Sequence, residues 1–194
     1  MATCVMASCV FRTEIGNIIA TVCPKGLHSL SLTPTMDENT KEISALGKVS
    51  YLFVPDDQIL KSDTYQHMSA ALQWLRQYFE GEQDGSLIPQ MCFEGISDYR
   101  TKVYLDLMKT RPGETLTYKD LSHRVSGDNG KGCRAVGSAM KNNPFVLLVP
   151  CHRVIPTMTS KKGGSDEDIG KYAHGSALKK MLIDFEKKYF SISN

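Results

Sequence analysis

The hydrophobic period of this 194-residue chain changes part-way along its length, and that change limits the folds open to it. Short apolar segments near Val10–Arg12, Ile18–Val22 and Leu27–Leu32 are bounded by turn formers, Gly16-Asn17 and Pro24-Lys25-Gly26. They are expected to form strands joined by hairpins. A polar stretch, Thr35–Leu46, reads as loop. Met68, Leu72, Leu75 and Phe79 then recur at helical spacing, which predicts one amphipathic helix ended by Gly81, with Trp74 in the core. A loop over Glu82–Ile96 marks the expected domain boundary.

Beyond it the pattern is mainly helical. Ser97 is placed to cap a helix carrying Val103, Leu107 and Met108, stopped by Pro112-Gly113. Thr117 is the next cap, with Asp120 three positions on and Leu121 and Val125 facing inward. A glycine-rich loop, Gly127–Gly132, precedes a third helix over Cys133–Lys141. Two short helices across a tight polar loop indicate a helix-turn-helix. Val146–Val149 reads as an apolar strand and Pro156–Asp168 as a long polar loop. Leu178, Met181, Leu182 and Phe185 mark a final helix. The expected architecture is α+β. Residues 1–96 form a structural domain of a small β-sheet plus a helix. It is packed on a mainly helical, winged helix-turn-helix-like domain over residues 97–194.

The chain is 41% hydrophobic and 23% charged, a globular composition, and no apolar run approaches the ~18 residues a membrane span needs. The start lacks the basic flank of a secretory signal, so an intracellular, reducing setting is expected. Net charge is −5 over residues 1–96 and +7 over residues 97–194. A cationic half suits a polyanionic partner; a solvated face with incidental lysines is the alternative. Six cysteines stand at 4, 9, 23, 92, 133 and 151. In a reducing compartment this usage points to metal or redox chemistry rather than disulfides.

Pro150-Cys151-His152-Arg153-Val154 follows the apolar run directly. A thiol gains nucleophilicity when a neighbouring group removes its proton, and His152 is the adjacent base. A buried cysteine with a chance histidine neighbour is the competing reading of the pair taken alone.

The surrounding residues favour the reactive thiol. Gly113-Glu114-Thr115-Leu116-Thr117-Tyr118, Arg134-Ala135-Val136-Gly137-Ser138-Ala139-Met140, Asn143-Pro144 and Pro150–Val154 occur in that order. With them, the region from Tyr99 to Glu186 resembles the O6-alkylguanine-DNA alkyltransferases. The resemblance implies a DNA-binding and alkyl-transfer domain acting on double-stranded DNA. On the same resemblance Cys151 is expected to accept one alkyl group irreversibly from O6-alkylguanine, with O4-alkylthymine as the further candidate substrate. A water-mediated relay runs from Cys151 to His152 and on to Glu186. Tyr118 donates a proton to the leaving base and Asn143 orients the active-site turn. Arg134 fills the stack vacated by a flipped base, while small Ala135, Gly137 and Ser138 admit their helix to the minor groove. Lys119, Arg100 and Thr157 lie near expected phosphate or lesion contacts. Val154, Tyr172 and Ala173 line the lesion pocket.

The resemblance further implies a structural zinc held by Cys4, Cys23 and His28, with Cys92 near the fourth ligand's place and Cys9 competing with Cys4. It implies no organic cofactor, a monomer, no membrane association, and residence in the nucleus. Ala173 and His174 depart from the family's Gly-x-Tyr-x-Gly-Gly run, the loop before Tyr172 is longer, and Asp128-Asn129-Gly130-Lys131 extends the helix-turn-helix loop. These differences leave the range of adducts open. A lesion binder without transfer, a helix-turn-helix regulator and a thiol hydrolase are the other readings. The first is disfavoured by Cys151, the second leaves the Cys-His run unexplained, and the third would not need Arg134 on a small-residue helix.

Overall fold

Alternating burial along β1 (Ala7–Thr13) organises the first half of the chain. Ala7, Cys9, Phe11 and Thr13 are buried while Ser8 and Arg12 face solvent, the period of two expected when one sheet face is covered. The computed structural model describes residues 6–34, 50–51, 63–82, 87–127, 130–157 and 169–190. Cys4, the expected loop Thr35–Leu46, Asp128, Asn129 and residues 158–168 of the long polar loop lie outside them. The chain divides into two units, residues 1–94 and 95–194.

In the first unit, β1 turns through Glu14-Ile15 into β2 (Gly16–Cys23), which turns through Pro24-Lys25 into β3 (Gly26–Pro34). The first turn lies two residues ahead of the expected Gly16-Asn17. Gly16 pairs with Thr13 as a strand residue at φ 133°, and the Thr13 hydroxyl donates to its carbonyl at 2.6 Å. A short β4 (Ser50–Tyr51) pairs with β1, completing an antiparallel sheet in the order β3-β2-β1-β4. Helix α1 (Asp63–Glu80) packs against β1, β2 and β3. Met68, Leu72, Leu75 and Phe79 are buried, as their spacing predicts, and Trp74 is core, stacked on Tyr78 at 5.6 Å. Gly81, at φ 73°, ends the helix; its N–H bonds the Tyr78 carbonyl while the Glu82 N–H bonds that of Gln77. This is the paired-bond C-terminal cap that a left-handed glycine permits.

In the second unit, α2 (Asp98–Leu107) follows Ser97, which occupies the N-cap position without a side-chain capping bond. A two-residue strand, β5 (Leu116–Thr117), leads into α3 (Tyr118–Ser126). Here the expected cap is complete: Thr117 Oγ1 accepts the Asp120 N–H, and Asp120 accepts the Thr117 N–H. Gly127, in the left-handed region, ends α3. Helix α4 (Cys133–Lys141) follows, and α2, α3 and α4 pack on one another. After a 3₁₀ turn over Cys151–Arg153, β6 (Val154–Ile155) pairs in parallel with β5, and α5 (Ser176–Tyr189) closes the described unit.

Val146–Val149 is buried but is not a strand. Its backbone is satisfied by local turns: the Leu148 N–H bonds the Val146 carbonyl at 2.8 Å and the Val149 N–H bonds that of Phe145 at 2.9 Å. Leu147 between them has φ 67°, a left-handed conformation rare for a leucine. Burial made the run apolar, and apolarity alone does not separate a buried turn from a buried strand.

Candidate active site

Pro150, at φ −80° and ψ 64°, centres an inverse γ-turn closed by the Cys151 N–H on the Val149 carbonyl at 2.8 Å. Proline suits this position because its ring sets φ and the turn asks nothing of its nitrogen. The turn delivers Cys151 into the 3₁₀ segment with 8% of its surface exposed. Asn143 fixes the approach. Its Oδ1 accepts the Phe145 N–H at 2.9 Å, and its Nδ2 donates to the Val149 carbonyl at 2.8 Å and to Cys151 Sγ at 3.2 Å. Asn143 therefore orients the turn and also touches the sulfur. Burial pushes the Cys151 thiol up, while the Asn143 amide, a backbone N–H, the Lys179 ammonium and the Tyr172 hydroxyl pull it back.

His152 points away from the cavity into the core, as adjacent side chains on a turn do. It is fully buried, and its Nε2 lies 2.7 Å from Glu186 Oε1 on α5. Arg153 grips the same carboxylate with both arms, Nε to Oε2 at 2.8 Å and Nη2 to Oε1 at 2.9 Å. Its Nη1 donates to the Thr110 carbonyl. The Gly113 N–H adds a bond to Oε2 at 3.1 Å. Burial alone would raise the Glu186 carboxyl, but His152 and Arg153 outweigh it and hold the group well below the usual carboxylate range. Burial lowers the His152 imidazole, against the pull of Glu186. The pair therefore rests as neutral imidazole and carboxylate. An ionised carboxylate only accepts, so the ring proton sits on Nε2. Nδ1 keeps its lone pair, and it is buried with no hydrogen-bond partner among the described residues.

Cys151 opens onto a cavity of about 350 Å³, walled by Tyr118, Gly137, Tyr172 and Ala173, with Met140, Lys141 and Lys171 completing it. Burial raises the Tyr118 phenol, and a charge on Cys151 would raise it further. The Tyr172 hydroxyl is raised well above its usual value, by burial and then by Cys151. Its hydroxyl faces the Cys151 thiol. His174 meets the Tyr172 ring edge-on at 5.4 Å. Val154 does not line the cavity; its side chain is fully buried in the core.

Helix α4 presents Arg134, Ala135 and Ser138 to solvent, and a Cβ at Gly137 would meet nothing within 4 Å. Intramolecular packing therefore does not require a glycine there. Lys119, Lys131 and Thr157 are exposed. Arg100 differs: it is half-buried against the Tyr104 hydroxyl, which bonds the carbonyls of Ala139 and Asn142 at 3.0 Å.

In the first unit, Cys23, His28 and Cys92 place their donor atoms within 4.8 Å of one another. The Leu27 N–H bonds the Gln90 carbonyl and the Cys92 N–H bonds that of Leu27, both at 2.8 Å, which lays the Cys92 segment beside β3. Gly26 makes this approach possible, since a Cβ there would stand 2.5 Å from the Gln90 oxygen. Cys9, buried on β1, is not part of the cluster.

Sequence reasoning missed Arg153 and Lys179 as members of the site. Lys179 and Glu186 stand seven positions apart on the buried stripe of α5. Two charged residues on an otherwise apolar stripe were the available signal.

The family model for the 6-O-methylguanine DNA methyltransferase DNA binding domain matches residues 98–188. The methylated-DNA–protein-cysteine methyltransferase of Cricetulus griseus is 30% identical over 190 residues, covering 95% of this chain and 83% of that protein. The crystal structure of the O6-methylguanine methyltransferase of Mycobacterium tuberculosis superposes with a TM-score of 0.65 at 25% identity, covering 95% of this chain and 94% of that one. The structure of the Mycobacterium tuberculosis protein in complex with DNA superposes at 0.62 and 24% identity, covering 92% and 93%.

Proposed function

Because the chain belongs to the methylated-DNA–protein-cysteine methyltransferase family, we propose that it repairs DNA by moving one alkyl group from O6-alkylguanine in a duplex to its own Cys151. O4-alkylthymine is the further candidate substrate. The observation that carries this reading is Cys151 opening onto the cavity while the His152–Glu186 pair stands behind it.

His152 Nε2–H is committed to Glu186, so Nδ1 is the ring atom that takes the thiol proton, through one bridging water. The thiolate attacks the alkyl carbon. The S–C bond forms, the C–O6 bond breaks, and its electron pair passes to the guanine, where the Tyr118 hydroxyl supplies a proton. A thioether offers no route back to the thiol, so each molecule acts once. A stacked guanine cannot reach this sulfur and is flipped out, at a cost of a few kcal/mol. Arg134 fills the vacated stack, and the small face of Ala135, Gly137 and Ser138 enters the minor groove. Lys119, Lys131 and Thr157 meet phosphates. The protein works as a monomer where the DNA lies, the nucleus.

The Cys23, His28 and Cys92 set fits zinc. Two sulfurs and an imidazole are its preferred donors, the Lys25 N–H donates to Cys23 Sγ at 3.3 Å, and His28 Nε2 is buried without a hydrogen-bond partner among the described residues. With Cys4 as fourth ligand, these residues would hold a structural zinc that ties the Cys92 segment to β3. No step of transfer uses it, and no organic cofactor is needed because the protein is the acceptor.

The test is to mix the protein with excess duplex bearing O6-methylguanine, then count repairs and weigh the Cys151 peptide. The expected result is at most one repair per molecule and one methyl on Cys151. Multiple turnover, or methyl on Cys133 instead, would overturn the reading.

A further inference from the structure

Lys179 is the charged group in the second unit whose position the reaction scheme leaves unexplained. It is fully buried on α5. Its Nζ donates to the Val154 carbonyl at 2.7 Å and, more weakly, to the Lys171 carbonyl at 3.5 Å. These acceptors are neutral, and among the described residues Lys179 makes no ion pair. The nearby carboxylate, Glu186, is already gripped by Arg153 through two bonds. Removing an ammonium from water without a counter-charge costs stability, so packing alone does not account for a lysine here.

Its two bonds join the strand just after the nucleophile to the cavity wall. Val154 follows the 3₁₀ turn that carries Cys151, and Lys171 lines the cavity next to Tyr172. Gly170 brings the wall in closely: a Cβ there would stand 2.6 Å from Pro156 Cγ and 3.9 Å from Lys179 Nζ. The groups that act on Cys151 or feel its charge are Lys179 on α5, Tyr172 in the wall, Tyr118 on α3 and Tyr104 on α2; Lys141 on α4 and Lys171 in the wall also line the cavity, but both are exposed and their charges are screened by water. Arg153 and Glu186 offset each other, His152 rests neutral, and the tyrosines are protonated. Among the described residues, Lys179 is the buried positive charge beside Cys151 that makes no ion pair, and a Cys151 thiolate would give it one.

Resting on Cys151 as the acceptor, we propose that Lys179 is a positioning residue with an electrostatic role: it supplies the buried counter-charge of the Cys151 thiolate and pins the Lys171–Tyr172 wall to the strand that follows the nucleophile's turn. Burial brings the ammonium down to about 8, with Cys151 opposing the fall, so it is still charged at neutral pH.

The experiment measures the rate of Cys151 alkylation by iodoacetamide against pH, followed by the mass of the Cys151 peptide, in the wild-type chain and in Lys179→Met. The probe is neutral and needs no DNA, so its rate reports the thiolate fraction. The expected result is a profile moved up by about one pH unit, about tenfold slower alkylation at neutral pH, and a melting temperature no lower than wild type. Lys179→Gln, which keeps an N–H for the Val154 carbonyl but not the charge, should show the same shift and carries the test if the methionine variant does not fold. An unmoved profile in a folded variant overturns the proposal. Methyl transfer from O6-methylguanine duplex by the wild-type chain is run alongside. Its failure would sink the acceptor reading, while the iodoacetamide profile still decides the role of Lys179.

Discussion

Glu186 Oε1 lies 2.7 Å from His152 Nε2, and the same carboxylate is held by Arg153 through two further bonds. One buried anion therefore serves a base and a guanidinium together. Glu186→Gln keeps an oxygen for His152 but turns an amide N–H₂ toward Arg153. Breaking a buried pair by removing one partner costs about 3–5 kcal/mol, and losing a tuned general base costs about a hundredfold or more in rate. The variant is expected to melt well below wild type and to transfer methyl at least about a hundredfold more slowly. Wild-type transfer by a folded variant would remove Glu186 from the relay.

The same pair gives stability a definite pH dependence. The His152 imidazole is lowered in the folded state, chiefly by burial. The unfolded chain thus takes up that proton first, and the associated stability is complete above about 6.5 and is lost as pH falls toward the folded value. Glu186 is also lowered, by His152 and Arg153 against the opposing effect of burial. Its contribution is complete above about 4.3 and is lost below that. Urea midpoints from pH 8 to pH 3 should fall in two stages for the wild type. Glu186→Gln should lose the lower stage, and identical profiles for the two proteins would contradict this account.

Much of this was legible in the sequence because the signals are local. The spacing of Met68, Leu72, Leu75 and Phe79 gave α1, and the Thr117–Asp120 pair marked the start of α3, since periodicity and caps act within a few residues. What was not legible is what long-range burial decides. Val146–Val149 folded as turns because Asn143 and local N–H groups satisfied its backbone. Arg153 and Lys179 joined the site because residues separated by 33 and 25 positions meet there. Arg100 faced inward because the Tyr104 hydroxyl was there to receive it.

The cap at the start of α3 sets the helix that carries Tyr118 and Lys119. Thr117 Oγ1 both accepts the Asp120 N–H at 3.1 Å and donates to its carboxylate at 2.7 Å. Thr117→Ala removes both bonds and is expected to cost about 1 kcal/mol, read as a fall in the urea midpoint at unchanged slope. Asp120 is lowered chiefly by the Thr117 hydroxyl. Its share is present above the ordinary aspartate value and is lost as pH falls through the lowered one, so the gap between variant and wild type should narrow in acid.

Arg134 offers a separation between extruding a base and reacting with it. It is exposed on the first turn of α4 and does not line the cavity. A free O6-alkylguanine base needs no unstacking, whereas the same base in a duplex does. Arg134→Ala should therefore slow transfer from duplex by about tenfold or more, a loss of about 1.4 kcal/mol, and leave transfer from the free base unchanged. Equal slowing on both would assign Arg134 to the pocket chemistry instead.

Gly26 tests the metal reading without touching a ligand. It has φ 135°, and a Cβ there would stand 2.5 Å from the Gln90 oxygen, the acceptor of the Leu27 N–H. Gly26→Ala must push the Gln90–Cys92 segment off β3 and carry Cys92 away from Cys23 and His28. Outer groups that hold metal ligands in place are worth about 10–100-fold in affinity. Zinc titrated against a competing chelator should bind at least about tenfold more weakly to Gly26→Ala, and more weakly still to Cys92→Ser. Transfer from duplex should persist in both, because Cys151 and its relay lie in the other unit. Unchanged zinc affinity in Cys92→Ser would exclude Cys92 as a ligand.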